Sequence, residues 1–428
     1  MLSDSAGTTP PDGPPSTHGS RRLTLRANVA FKALSVPVEK AVRLVVMIVA
    51  APALGQAAFG TYQFVTTIAT FLVMGTEFGL SVWTTRALAR DQADAGRIVS
   101  TSLAVRAAGA SIYVVGIAVV VIVLPDVPWQ ITVLLGLAGI ANAFNDFLGA
   151  IFRGLERLDE EAVVNISRAC FLALFALGAL RMAPTLPSLS IGVASGTCLG
   201  ALIGTTLLVR RHPTAAPRRA RFDRDLARQA LRQSASLWVA AMLSLLYFKV
   251  DVVILQLVAG DSALGAYSAA YKLFEAMTLP PAIVMAAAFP QLARAINDRE
   301  RQRLLERRVL AALLVLGTAA GGAMYLLSEL LVRWIFGPGF GAAAPSLRIL
   351  SLGLPLLFVG LGLRQFLVAR NLERLTPLLT GALLLLNVAL NIATIGSFGG
   401  EGAAAATVAT EAAQIVICLW LLRSRGET

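Results

Sequence analysis

The sequence predicts an all-α, polytopic membrane protein of 12 transmembrane helices, arranged as two parallel six-helix repeats around a central cavity. Three observations lead there. First, 56% of the 428 residues are apolar and only 14% charged, with a mean hydropathy of +0.71. Soluble domains run nearer to about 45–50% and about 25%, and a surplus this large, spread over the whole chain, leaves too little charge to cover soluble cores. Second, the basic residues cluster in alternate connections. Third, the two halves share a motif at a fixed offset.

A window of about 20 apolar residues, enough to cross a bilayer, finds spans at 26–50, 61–85, 98–124, 129–152, 160–182, 187–209, 231–258, 266–290, 309–336, 346–369, 374–396 and 402–422. Connections between them are short. Residues 1–25 are rich in Ser, Thr, Pro and Gly and read as a disordered cytoplasmic tail. Residues 26–209 form the N-terminal six-helix bundle and 231–422 the C-terminal one, with an Arg- and Pro-rich cytoplasmic linker at 210–230 and a tail at 423–428. The linker carries charge suited to anionic headgroups, or to topology alone.

Of 37 basic residues, 26 lie in the tails and in the connections after spans two, four, six, eight and ten. The opposite connections hold only Arg181, Arg333 and Arg348. The excess marks the cytoplasmic side, which puts both termini there and the protein in the plasma (inner) membrane. The net charge of +12 is therefore a topology signal and does not point to nucleic acid. Cys170, Cys198 and Cys418 fall within spans and imply no disulfide framework. His18 and His212 lack the company a metal site needs.

Between spans one and two stands Gly55, Phe59, Gly60, Tyr62; between spans seven and eight stands Gly260, Leu264, Gly265, Tyr267, 205 positions later. Ala89-Arg90 and Ala293-Arg294 recur at an offset of 204. Six spans per repeat is an even number, so the halves are parallel, related by an axis along the membrane normal.

Intramembrane charge is costly and gathers where a cavity or partner receives it. On span one, at about 100° per residue, Asn28, Lys32, Glu39 and Arg43 form one stripe, with Lys40 about 80° away. Glu39 and Arg43 can pair at i,i+4, and Pro37 interrupts the ladder. Span two presents Tyr62, Gln63, Thr66, Thr67, Thr70 and Glu77. Span eight presents Tyr267, Ser268, Tyr271, Lys272, Glu275 and Thr278, ahead of Pro280-Pro281. On span seven Ser244, Tyr247 and Asp251 share a face and Lys249 points about 160° away. Weaker stripes are Asn142, Asn145 and Asp146 on span four, and Thr380, Asn387 and Asn391 on span eleven. Polar faces on equivalent helices of both repeats are expected to meet at the central cavity. Helix-packing ion pairs and snorkelling are the plainer reading, favoured for Lys249, Arg106, Arg168 and Arg364.

A cavity with cations and acids suits an anionic, hydroxyl-rich ligand. Lys32, Arg43, Lys272 and secondarily Lys40 would attract phosphate; Tyr62, Gln63 and Tyr271 would meet hydroxyls. Glu39, Glu77, Asp251 and Glu275 would tune the cations or couple H+ or Na+. The chain has no Gly-Lys pair and hence no phosphate-binding loop. It is read as a non-enzyme that uses no cofactor or metal.

Several blocks, in order, carry a resemblance. They are Leu54-Gly55 through Phe59-Gly60-Thr61-Tyr62; Glu77-Phe78-Gly79-Leu80 with Thr85-Arg86; and Asp251, Gly260 and Leu264-Gly265-Ala266-Tyr267-Ser268-Ala269-Ala270-Tyr271. Phe289-Pro290, Phe336-Gly337-Pro338-Gly339-Phe340 with Leu347-Arg348, and Gly399 to Ala406 complete the set. The chain resembles, from about 26 to 422, the prokaryotic polysaccharide (O-antigen type) flippases of the multidrug/oligosaccharidyl-lipid/polysaccharide (MOP) exporter superfamily. Glu77 stands where that family usually has Asp, which keeps the charge. The resemblance implies two bundles forming a V-shaped cavity and alternating-access movement of undecaprenyl-diphosphate-linked oligosaccharide, driven by ions or membrane potential. Implied partners are that substrate and membrane lipids, with a polysaccharide polymerase and glycosyltransferases beyond them. Rival readings are a cation-coupled multidrug antiporter, a lipid II flippase of the same superfamily, and a non-transporting scaffold for glycan assembly.

Overall fold

The computed structural model describes residues 25–217, 222–295 and 298–424; the tail expected at 1–25 lies outside them except for Leu25. Thirteen helices follow in order: α1 (Leu25–Leu54), α2 (Gln56–Glu77), α3 (Leu80–Arg90), α4 (Ala95–Val123), α5 (Trp129–Gly154), α6 (Leu158–Met182), α7 (Leu186–Arg211), α8 (Arg224–Ala276), α9 (Leu279–Arg294), α10 (Arg299–Leu326), α11 (Ser328–Phe336), α12 (Ala343–Ala369) and α13 (Thr376–Ser424).

Among the described residues, nine stretches are long and apolar enough to cross a membrane. Two of them, Arg224–Leu292 and Glu373–Ser424, far exceed the roughly 30 Å of a bilayer core at 1.5 Å per residue. Each turns back at a glycine, Gly260 and Gly399, and crosses twice. With α1 the crossings are twelve. Large apolar side chains such as Ile122, Leu385 and Trp334 face outward, toward lipid.

Spans two, eight and nine, each read as one helix, are broken. Phe78 and Gly79 both adopt left-handed backbone (φ 50° and 68°), ending α2 and restarting α3. Pro280 and Pro281 lack the N–H that a continuing ladder needs, so the chain restarts as α9. Leu327 separates α10 from α11. α8 begins at Arg224, ahead of the apolar run at 231, because the Asp223 carboxylate accepts from the N–H groups of Asp225 and Leu226 (both 2.9 Å).

The repeat is written into the backbone. Gly55 and Gly260 hold the same unusual conformation, φ 77° ψ 170° and φ 79° ψ −178°. One turn on, Gly60 and Gly265 sit where α2 crosses the part of α8 beyond Gly260. A Cβ on Gly60 would meet the Asp261 carbonyl oxygen, and one on Gly265 the Gln56 carbonyl oxygen. Gln56 and Asp261 are themselves 205 positions apart, so the crossing is reciprocal, as a twofold axis between the halves requires.

The arginine-bearing connections share one end. Arg97 reaches Asp223 (3.5 Å), Arg157 and His212 reach Glu160 (2.8 and 2.7 Å), and Arg370 reaches Glu306 (2.5 Å). The opposite end is shut. Gln56 Nε2 donates to the Gly339 carbonyl (2.6 Å), Ser262 Oγ donates to Gln56 Oε1 (3.0 Å), and the Phe59 and Phe340 rings meet edge-on at 6.0 Å.

Candidate functional site: a cation-lined central cavity

Below that seal, α1, α2 and α5 of the first half and α8 of the second enclose a cavity of about 260 Å3. Arg43, Tyr62, Gln63, Tyr271 and Lys272 line it. So do Thr66, Thr67, Thr70, Ser268, Asn142 and Lys249. Helical periodicity delivers this set: Tyr62, Gln63, Thr66, Thr67 and Thr70 recur at the spacing of one helix face. Nearer the arginine-rich end, the Asp146 and Glu275 side chains keep 61% and 45% exposure, so the cavity opens that way.

Among the described residues, every charged side chain on the cavity wall is a cation: Arg43, Lys249 and Lys272. Of the acids that pair with this group, Glu39 is set back behind Arg43, while Asp146 and Glu275 stand toward the open end. Glu39 Oε1 accepts from Arg43 Nε (3.1 Å) and from Arg168 Nη2 (2.5 Å). Arg168 also donates to Asp146 (2.8 Å), and Arg43 Nη2 to Asn142 Oδ1 (3.2 Å). Arg43 is thus held by its own helix and by α5, with hydrogen-bonding capacity left over for a ligand. On the facing wall Lys272 donates to Glu275 (2.8 Å) and Lys249 lies 5.6 Å from the Tyr271 ring centroid.

The remaining expected residues stand elsewhere. Lys32 lies on α1, and its side chain is outside the described residues. Lys40 is exposed and off the wall. Glu77 does not reach the cavity: it accepts from Ser81 Oγ (2.5 Å) and Arg106 Nη2 (3.0 Å), while the Arg106 guanidinium lies 4.5 Å over the Phe147 ring. That cluster ties the α2–α3 break to α4 and α5.

Span seven reverses the expected face. Tyr247 and Asp251 look into the second half, and Lys249, on the far side, lines the cavity. The angular separation was legible in the sequence, but a periodicity does not say which face meets which neighbour. Asp251, 4% exposed, accepts from Tyr267 OH (2.6 Å) and the Val252 N–H (2.9 Å). Beside it Tyr247 OH donates to Glu411 (3.1 Å), a buried acid on α13 absent from the sequence stripes. Glu411 stands in the Ala-rich run of span twelve; its only sequence signal is intramembrane charge. Arg364 completes this group over the Tyr247 ring at 5.7 Å.

Two six-helix halves around a cationic chamber, shut at one end and open at the other, define a polytopic membrane protein with a ligand-sized central cavity. The chain belongs to the family described as Polysaccharide biosynthesis protein, which matches residues 25–296. It is 26% identical over 236 residues to the EPS I polysaccharide export inner membrane protein EpsE of Ralstonia solanacearum, covering 54% of this chain and 53% of that one. The chain thus spans about half the length of this curated relative. In fold it is similar to an inward-facing multidrug resistance MATE family transporter of the MOP superfamily, with TM-score 0.76 and 14% identity over 93% of this chain and 98% of that one. It is also similar to the lipid II flippase MurJ in an inward closed conformation, with TM-score 0.69 and 13% identity over 92% and 87%. The chain shares the fold of both.

Proposed function

We propose that this protein is an inner-membrane flippase that moves polyprenyl-diphosphate-linked oligosaccharide from the cytoplasmic to the outer leaflet, for cell-surface polysaccharide biosynthesis. The observation that carries the reading is the sign of the cavity wall. Arg43, Lys249 and Lys272 converge from both halves with Tyr62, Gln63, Thr66 and Ser268 between them. Arg supplies a fork and Lys a point charge to a diphosphate, and the hydroxyls and amides suit sugar. A cavity built for cationic drugs would place carboxylates on that wall.

The arginine-rich end is taken as cytoplasmic by the bias of basic loops, so the open end receives a substrate made in the cytoplasm. Glu39 and Glu275 hold the cavity cations in place and are the acids through which the cycle would couple to H+ or Na+. Asp251 is the buried acid through which the second half would sense an ion. Alternating access follows if the Gly60–Gly265 crossing parts as the arginine-rich end closes. The polysaccharide export relative and the lipid II flippase fold support a lipid-linked saccharide as cargo.

The test is reconstitution of the full chain in vesicles with polyprenyl-diphosphate oligosaccharide, scoring the fraction accessible on the outer face. Arg43→Ala and Lys272→Ala are expected to abolish movement while protein levels hold. Wild-type movement in both would overturn the assignment.

A further inference from the structure

We propose a second anion site, separate from the central cavity, that holds the phosphodiester headgroup of an anionic phospholipid at the arginine-rich end. A cavity of about 230 Å3 lies there between α3 and α4 of the first half and the start of α8 of the second. Arg86 and Arg90 both line it. Four residues apart on α3, they share a face. Neither makes an ion pair or hydrogen bond among the described residues, so both guanidinium groups are available to a ligand.

Two acids, Asp91 and Asp94, share the wall with three arginines, Arg86, Arg90 and Arg97, which leaves the lining net positive. Asp94 pairs with Arg97 (3.4 Å), Asp91 accepts from the Asp94 N–H (3.2 Å), and Asp223 pairs with Arg97 while capping α8. The rest of the wall offers donors. Gln233 accepts from the Trp83 indole N–H (3.1 Å), which fixes its amide and leaves the NH2 to donate. Ser234 lines the same pocket, is 1% exposed, and its buried hydroxyl has no hydrogen-bond partner. A buried hydroxyl left unmatched costs free energy, and a phosphate oxygen would satisfy it.

Position favours a lipid over free phosphate as the source. Leu237 lines the pocket at 39% exposure, and Val82, next to Trp83 on α3, is 44% exposed, so apolar surface fit for acyl chains adjoins the donor set. Basic pockets between helices on the cytoplasmic side are a general means of holding anionic headgroups. Because both halves build the pocket, a bound headgroup stabilises the conformation in which α3 and α8 meet here.

The test is native mass spectrometry of the full chain in detergent with phosphatidylglycerol or phosphatidylcholine, with inorganic phosphate as competitor. Selective retention of phosphatidylglycerol is expected. Arg86→Gln with Arg90→Gln should lower its affinity by about tenfold or more, since charge-assisted bonds are lost, and Ser234→Ala should lower it less. Unchanged melting without lipid shows that the variants fold. Arg303→Gln with Arg307→Gln, an exposed pair at the same end, should retain lipid. Equal loss in both double variants, or no preference between the two lipids, would overturn the site. Displacement by inorganic phosphate without lipid preference would overturn the lipid assignment.

Discussion

Inserting one methyl group at the reciprocal crossing should open the sealed end. The Cβ of Gly60→Ala would fall 1.9 Å from the Asp261 carbonyl oxygen, and that of Gly265→Ala 1.9 Å from the Gln56 carbonyl oxygen. Both obstacles are backbone, so no rotamer change relieves them. Ordinary contact begins near ~3.5 Å, and the two helices must therefore part by about 1.5 Å. Overpacking of this kind costs about 1–3 kcal/mol. The cost falls on the conformation shown and vanishes where the ends separate, so the equilibrium moves by roughly five- to 150-fold toward the outward-open state. Spin labels at exposed Ala53 and Ala259, with the native cysteines replaced, would report the change as a longer distance in double electron–electron resonance. A single separation relieves both clashes, so Gly60→Ala with Gly265→Ala should cost less than the sum of the two. A wild-type distance distribution in both single variants would refute the reasoning.

Three further outcomes follow from the side-chain geometry. Glu77→Gln leaves Arg106 half-satisfied in a pair whose side chains are 19% and 10% exposed; it should destabilise by roughly 3–5 kcal/mol, read as a lower melting temperature in detergent, with Glu77→Asp retaining part of the bond. Lys249→Met should weaken binding of a diphosphate analogue by about tenfold, measured by calorimetry, whereas Asp251→Asn should leave that affinity near wild type because its side chain is off the wall. Asp223 is held below the usual aspartate range, first by the Leu226 N–H and then by Arg97. A depressed carboxylate stabilises above its unfolded value and loses that contribution as pH falls through the folded one. Melting of Asp223→Ala should therefore trail wild type at neutral pH, and the gap should close below about pH 4.

Fold class and crossing number are determined by composition and hydropathy, because in a bilayer every backbone polar group must be satisfied within its own segment and only helices do so here. The Gly55/Gly260 offset likewise determines the repeat: an unusual backbone conformation demands glycine at both copies. The stripes on spans one, two and eight contain Arg43, Tyr62, Gln63, Tyr271 and Lys272, all of which line the cavity. What only the tertiary structure decided is which face of a helix meets which neighbour. Lys249 and Asp251 are nearly opposite on one helix, and sequence angle cannot say that the lysine takes the cavity. Arg168 reaches Glu39 from 129 positions away, and Glu411 reaches Tyr247 from 164. Such pairings depend on helix order and rotation in the bundle. A single chain's periodicity leaves both free, and close packing across helices fixes them.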